Sequence, residues 1–544
     1  MWSASKSEAR RNRQREDFSP PTATGRVPAM RRPVARGSAE SLLGPFPRLL
    51  LAGAASAAIF ARAPVAASDD APAAPSAEAA APKAEAAKEA ETTDPAFADA
   101  VAALTGKSLQ NAKVSAEVVD VDTGKVLASR EPHALLNPAS NAKVYTAACA
   151  LALLHGNHRY QTTLAGTMKG GEITGALVIR GYGDPTLRTA DFLEMARDLH
   201  QRGVRRIVGD ILVDQRFFDG EHTPPAFEQQ PNEWAYFRAP VSALAVNENT
   251  VTLHVRPGEE DGNASAYFDP PGFVDLKGSI KTAGEGADTV GLKLTPAGTR
   301  LEATVSGSIG KRSGLARYTR RVEDPTLLGG YVLKQTLEQI GIKVGGEVKA
   351  GSLEKGNVLV RHESEPLSTV LYALGKQSDN FYAEMVMKSL AGEVKGKPAK
   401  TKEGTEACTA WLEKNGLSDT GLVVKNGSGL FDANRVTTAS VTKLLRFVHR
   451  DAALSSEFVA QLSIGGVDGT LHTRFQKVRH ARIVRAKSGT LDDTIALSGY
   501  VYGPPGRSPL AFSVIFNGVA GKGSNARQSI DAFVEKIAAY QWRK

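Results

Sequence analysis

Three short polar strings lie far apart along this chain: Ser140-Asn-Ala-Lys143, Ser378-Asp-Asn380 and Lys487-Ser-Gly489-Thr490. Read as S-x-x-K, S-x-N and K-[ST]-G, they supply a serine nucleophile, lysines able to take or steer protons, and a cationic, hydroxyl-bearing strand for a carboxylate. Joint use of the three constrains the fold strongly. It requires the two ends of the chain to meet around the 238 residues that separate Ser140 from Ser378.

Taken singly, each string is weak. S-x-x-K recurs at Ser3, Ser308, Ser352 and Ser440, so chance explains most of its matches. Only the Ser140 copy opens a long apolar run, Val144 to Leu154, which reads as a buried helix ended near Gly156. There the serine hydroxyl would sit at the positive end of the helix, and Lys143, three residues on, would share its face. Alone, Ser140 could be an ordinary N-cap, Ser378 a loop residue before the helix starting at Phe381, and Lys487-Ser-Gly489 a turn between strands. Their order and distinct contexts favour joint function.

The flanking patterns agree with a shared domain. Val114 to Val121, Asp122-Thr-Gly124 and Lys125 to Ser129 read as a hairpin. Near the other end, Ala481–Ala486, Thr494–Tyr502 and Leu510–Phe516 read as an antiparallel meander, followed by an amphipathic helix from about Ala526 to Gln541. Residues 162–362 differ in texture, rich in Gly and strand-type residues, and read as one β-rich insertion or two nested modules. Helical patterns return at Phe381–Ala391 and Ser440–Val448.

The formal charge of +9 is unevenly placed: residues 1–67 hold eleven Lys/Arg against four Asp/Glu, leaving only +2 for the rest. The basic balance thus argues for no nucleic-acid partner. Arginines at 10, 11, 13, 15, 26, 31, 32, 36 and 48 precede the apolar run Leu49–Phe60 and the small residues Val65-Ala-Ala67, the pattern of a secretory signal. The run is short for a membrane span. Met30 is a candidate start, Arg31-Arg32 a weak twin-arginine match, and an uncleaved anchor giving peripheral membrane association is the competing reading. Residues 68–93 form an Ala/Pro/Glu/Lys tether unable to bury a core. The expected destination is the periplasm or another compartment outside the cytoplasmic membrane. Cys149 reads as core and Cys408 as part of another helix; two cysteines define neither a disulfide framework nor a metal cluster, and no HExxH or CxxC spacing occurs.

Beyond the strings, longer blocks carry a resemblance: Gly183-Asp-Pro-Thr-Leu187, Ala239 to Asn249, Ser378 to Glu384, Asn426-Gly-Ser-Gly-Leu430, Gly465 to Leu471 and Ala486 to Leu491. Over about residues 94–540 the chain resembles the class C low-molecular-mass penicillin-binding proteins, serine D-Ala-D-Ala carboxypeptidases and endopeptidases. The resemblance implies an α/β (α+β) transpeptidase/β-lactamase-like domain, an antiparallel sheet flanked by helices, formed by residues 94–161 and 363–544 and interrupted by the 162–362 insertion. Two departures stand out: Ser488 replaces the usual Thr of K-T-G, and Asn426 stands where Asp is frequent.

The resemblance also implies roles. Ser140 would attack the penultimate D-alanine carbonyl, and Lys143 would be the base once burial and the charge of Lys487 lower its pKa. Ser378 would relay a proton to the leaving amine, and Asn380 would hold the peptide amide or position Lys143. Lys487, Ser488, Gly489 and Thr490 would form the carboxylate-binding strand, with the Ser140 and Thr490 N–H groups as oxyanion donors. Glu233 lies where the family can carry a carboxylate for the stem-peptide amine, though a solvated loop acid is the simpler reading. Peptidoglycan stem peptides and β-lactam inhibitors are the expected partners, with no metal or organic cofactor required. A β-lactamase and a non-catalytic peptidoglycan-binding module remain open alternatives.

Overall fold

Alternation along the C-terminal strands sets the architecture. In the strand Leu510–Asn517, Phe512, Val514 and Phe516 enter one apolar cluster while Ala511 and Ile515 enter another, as a pleated strand with two covered faces requires. The computed structural model describes residues 93–230, 234–284 and 288–543. The leader, nearly all of the tether and Glu233 lie outside the described residues.

The strand belongs to a six-stranded sheet in the order Val126–Arg130, Lys113–Asp120, Leu510–Asn517, Thr494–Val501, Val484–Leu491, Ser463–Ile464. Every neighbour is antiparallel. The N-terminal hairpin therefore docks on the C-terminal meander, Lys113 opposite Asn517 and Asp120 opposite Leu510. One face is covered by the helix Gly523–Gln541 and the short helix Ala98–Ala103, whose Phe533, Ile537 and Val101 share a cluster with Phe512. The other face carries the helices Ala142–Leu154, Asn380–Val394 and Thr438–Arg450.

Helix Ala142–Leu154 is apolar nearly all round and eleven of its residues are buried, which fits a helix packed on several sides. It stops at His155, whose φ of 67° makes the turn expected of Gly156. Cys149 is core, as its setting implies, but it is also disulfide-bonded to Cys408 on helix Thr401–Lys414. The bridge was illegible in the sequence because 259 residues separate the two.

Between the serine helix and Ser378 the chain builds sheets of its own. A five-stranded sheet runs Val348–Ala350, Ile211–Asp214, Leu177–Gly181, Gln161–Gly166, Asn357–Glu363. Its first and last strands in sequence pair directly, Thr162 opposite His362, so the chain leaves this region beside where it entered. Helices Thr189–Gln201 and Leu328–Gln339 pack here with smaller sheets around a core drawn from residues 164–360. The two helices were hidden by the strand-rich composition around them.

Candidate active site

Ser140 sits in a single 3-10 turn, Ala139–Asn141, directly before helix Ala142–Leu154. Asn137 Oδ1 accepts from the Ala139 N–H at 2.9 Å, holding the turn while Ala139 adopts a φ of 47°. The Asn141 amide, oriented to satisfy both partners, lies with its nitrogen 2.9 Å from Lys487 O and its oxygen 3.2 Å from Leu497 N. The serine turn is thereby fastened to the strand that carries the third string.

One helical turn later, Lys143 is fully buried and its Nζ makes three hydrogen bonds. It donates to Ser140 Oγ at 3.0 Å, Asn380 Oδ1 at 2.7 Å and Ser428 O at 2.8 Å. Burial lowers its pKa to about 7, against an upward pull from the carboxylates of Asp379 and Glu384. Lys487, equally buried, donates to Ser378 Oγ and to Ser488 O, each at 2.7 Å. Its pKa is pushed well down, first by burial and then by the positive charge of Lys143. Two lysines whose charged forms are penalised thus stand behind two serines.

Ser378 is held in the left-handed region, φ 62°, where a π-helical turn at Ala373–Gln377 gives way to helix Asn380–Val394. A non-glycine residue there is strained, and such strain clusters at functional sites. Asp379 caps the helix by accepting from Tyr382 N at 3.0 Å. Burial, reinforced by Glu248, raises its carboxyl to about 6. The Asn380 amide nitrogen donates to Phe237 O at 3.1 Å, placing the loop Ala235–Ala239 against the second string.

The third string lies within strand Val484–Leu491, not in a turn beyond a shorter strand, because the ladder continues through Lys487 opposite Ser498, Gly489 opposite Ala496 and Thr490 opposite Ile495. A Cβ at Gly489 would lie 2.7 Å from Pro138 O, so only glycine lets the strand approach the serine turn this closely. The Ser488 hydroxyl donates to Thr470 Oγ1 at 2.7 Å, while Thr490 is exposed.

Several residues with no role read from the sequence complete the site. Glu384, fully buried, accepts from Gly427 N at 3.1 Å and Ser428 N at 2.8 Å. Those bonds fix the peptide whose Ser428 carbonyl receives Lys143. Its spacing of four from Asn380 was the available signal, since i and i+4 share a helix face. Asn426 donates to Pro225 O and Leu430 O and accepts from Gly429 N, so its amide ties the loop with donors that an aspartate lacks. Among the described residues, no three or more His, Cys, Asp or Glu side chains gather as a metal-binding group.

A sequence profile of the D-Ala-D-Ala carboxypeptidase 3 (S13) family matches residues 98–539. The D-alanyl-D-alanine carboxypeptidase of Actinomadura sp. (strain R39) is 33% identical over 461 residues, spanning 81% of this chain and 84% of the relative. In fold, the chain is similar to crystalline penicillin binding protein 4 (dacB) from Haemophilus influenzae, with a TM-score of 0.68 at 21% identity over 81% of this chain and 98% of that one. A second crystal structure of the Haemophilus protein, complexed with a β-lactam, superposes with a TM-score of 0.64 at 20% identity, over 82% of this chain and 99% of that one.

Proposed function

This chain belongs to the D-Ala-D-Ala carboxypeptidase 3 (S13) family and is a serine DD-peptidase, and from that premise we propose that it cuts the D-Ala-D-Ala ends or D-Ala cross-links of peptidoglycan through an acyl-Ser140 intermediate. The observation that carries this reading is the pair of lysine–serine contacts, Lys143 to Ser140 and Lys487 to Ser378.

In the proposed reaction, Lys143 in its neutral form takes the Ser140 Oγ proton as the oxygen attacks the penultimate D-alanine carbonyl. Asn380 and the Ser428 carbonyl hold the amine in line for that transfer. The N–H groups of Ser140 and Thr490 would receive the carbonyl oxygen as it gains charge, each donor worth about 3 kcal/mol in the barrier. Ser378 would pass its hydroxyl proton to the departing amine of the terminal D-alanine and take one in turn from Lys487, whose Nζ donates to its Oγ. Water would then cleave the ester by the reverse proton path and restore Ser140. The terminal carboxylate would lie against Lys487, Ser488 and Thr490.

A β-lactam presents a comparable amide and carboxylate, and the Haemophilus protein of similar fold is known in complex with one. The expected outcome here is a long-lived acyl-Ser140. We further propose that residues 94–161 and 363–544 form the catalytic domain and 162–362 the insertion, and that the protein works outside the cytoplasmic membrane. The buried Cys149–Cys408 disulfide supports an oxidising compartment. Among the described residues no helix is long and apolar enough to cross a membrane.

The test uses purified protein and its Ser140→Ala variant with a fluorescent penicillin and a pentapeptide ending in D-Ala-D-Ala. Persistent label and released D-alanine, both lost in the variant, are expected. Rapid turnover of the penicillin would instead indicate a β-lactamase, and muropeptide binding without label or cleavage a non-catalytic module.

A further inference from the structure

The segment leading into the third string is unusually basic. Residues 472–485 contain Arg474, Lys477, Arg479, Arg482 and Arg485 with no acidic residue, although the chain beyond residue 67 has a net charge of only +2. Arg474 is neutralised by Asp531. Among the described residues, no carboxylate forms an ion pair with Lys477, Arg479, Arg482, Arg485 or Arg543, and Lys477, Arg479, Arg482 and Arg543 are exposed. Such a group of unpaired like charges sets up a local field that attracts anions.

The patch is concave. Where the segment meets the end of helix Gly523–Gln541 there is a cavity of about 490 Å³, with Lys477, Arg479 and Arg543 among its lining residues and Glu535 as its one acid. Its wall includes the stacked rings of His480 and Trp542, whose centroids are 3.5 Å apart. Trp542 Nε1 donates to Tyr502 O at 3.1 Å, which fixes the indole. A cavity of this size suits a sugar or short peptide unit. Among the described residues, none of the exposed large hydrophobics lies within residues 472–485, so the patch lacks the apolar insertions that add to electrostatic binding at a lipid surface.

We propose that this basic face is a docking surface for the polyanionic wall polymer, a peptide-bearing glycan with free carboxylates, and that it holds the polymer beside the catalytic strand. The inference rests on the DD-peptidase reading for the identity of the polymer. Arg485 stands two residues before Lys487 on strand Val484–Leu491 and lines a separate hollow with Arg482, Ser455 and Val459, so the basic segment leads from the helix end into the strand that carries the third string. The patch would raise the local concentration of scissile bonds without touching the reacting atoms.

The test uses the full chain as Ser140→Ala, so that bound wall material is not digested, and measures co-sedimentation with purified sacculi. Combining Lys477→Glu, Arg479→Glu and Arg482→Glu is expected to lower retention about tenfold or more, while the same substitutions with Ser140 intact leave hydrolysis of a small D-Ala-D-Ala peptide within about twofold. Unchanged retention would overturn the proposal. Should the charge-reversed protein fail to fold, shown by lost penicillin labelling of its form with Ser140 intact, wild-type protein still decides the matter. Retention must fall steeply between about 50 and 500 mM salt, and on sacculi whose carboxylates have been amidated. Insensitivity to both, or binding to phosphatidylglycerol vesicles in place of sacculi, refutes it. Failure of the DD-peptidase reading shows separately, as absent D-alanine release with retention intact.

Discussion

Asn380 and Glu384 lie one turn apart on helix Asn380–Val394 and control two of the three acceptors around Lys143. Asn380 does so directly through Oδ1, and Glu384 by gripping the Gly427 and Ser428 N–H groups so that the Ser428 carbonyl faces the amine. The same carboxylate pulls the Lys143 pKa upward against burial.

Replacing that carboxylate therefore has two readable effects. Glu384→Gln puts an amide NH₂ where two backbone donors need acceptors, which loosens the 427–428 peptide. Acylation by a fluorescent penicillin is expected to slow by about 10- to 100-fold, the usual cost of a misplaced catalytic group. Removing the negative charge also lowers the Lys143 pKa, so the rising limb of the rate–pH profile moves to lower pH. A slower enzyme with an unmoved limb would mean that Glu384 only supports the fold.

Gly489 is tested by volume. The Cβ of Gly489→Ala would press on Pro138 O at 2.7 Å and Ala139 Cβ at 3.2 Å. The strand must then withdraw from the Ser140 turn, at a cost of about 1–3 kcal/mol in stability. Acylation should fall together with the melting temperature. Unchanged values of both would show that the turn yields freely.

The disulfide makes a prediction about stability alone. Cys149 and Cys408 join two core helices across a separation of 259 residues. The double Cys149→Ala, Cys408→Ala variant should lose about 2–5 kcal/mol in denaturant unfolding. Its penicillin labelling at room temperature should persist, since the bridge joins helices Ala142–Leu154 and Thr401–Lys414 at a position six residues beyond Lys143. Equal stability of the oxidised protein and the variant would sink this expectation.

The three strings were legible because each demands particular side chains at fixed spacings, and the sheet that unites the chain ends was legible from alternation. What escaped was whatever depends on the backbone of distant segments. Glu384 bonds to N–H groups 43 and 44 residues away, which no side-chain pattern announces. Asn426 looked like a departure from a pattern, yet its amide donors bind carbonyls that only the fold brings near. Strand Val484–Leu491 outran its apolar stretch because hydrogen bonding to Thr494–Val501, not hydrophobicity, sets its length. Local chemistry is written in the sequence, whereas the partners of main-chain groups belong to the topology.

The pH dependence follows from Lys143. Its pKa is lowered to about 7, so the neutral amine that can accept the Ser140 proton is scarce in acid and dominant above that value. Acylation should rise by up to about tenfold per pH unit below about 7 and level off above it. Of the other charged groups nearby, Glu384 holds the limb up while it is ionised, its own pKa being raised by burial, and Asp379 titrates near 6. Below that value the loss of the Asp379 charge favours the neutral amine and makes the fall shallower than a single ionisation gives. Lys143→Arg keeps a positive charge at all accessible pH values and removes the base. It should lower the acylation rate by about 10²- to 10⁴-fold and abolish the rise through neutral pH. A profile that still rises through pH 7 in Lys143→Arg would assign the base to another group, with Lys487 behind Ser378 as the one to test next.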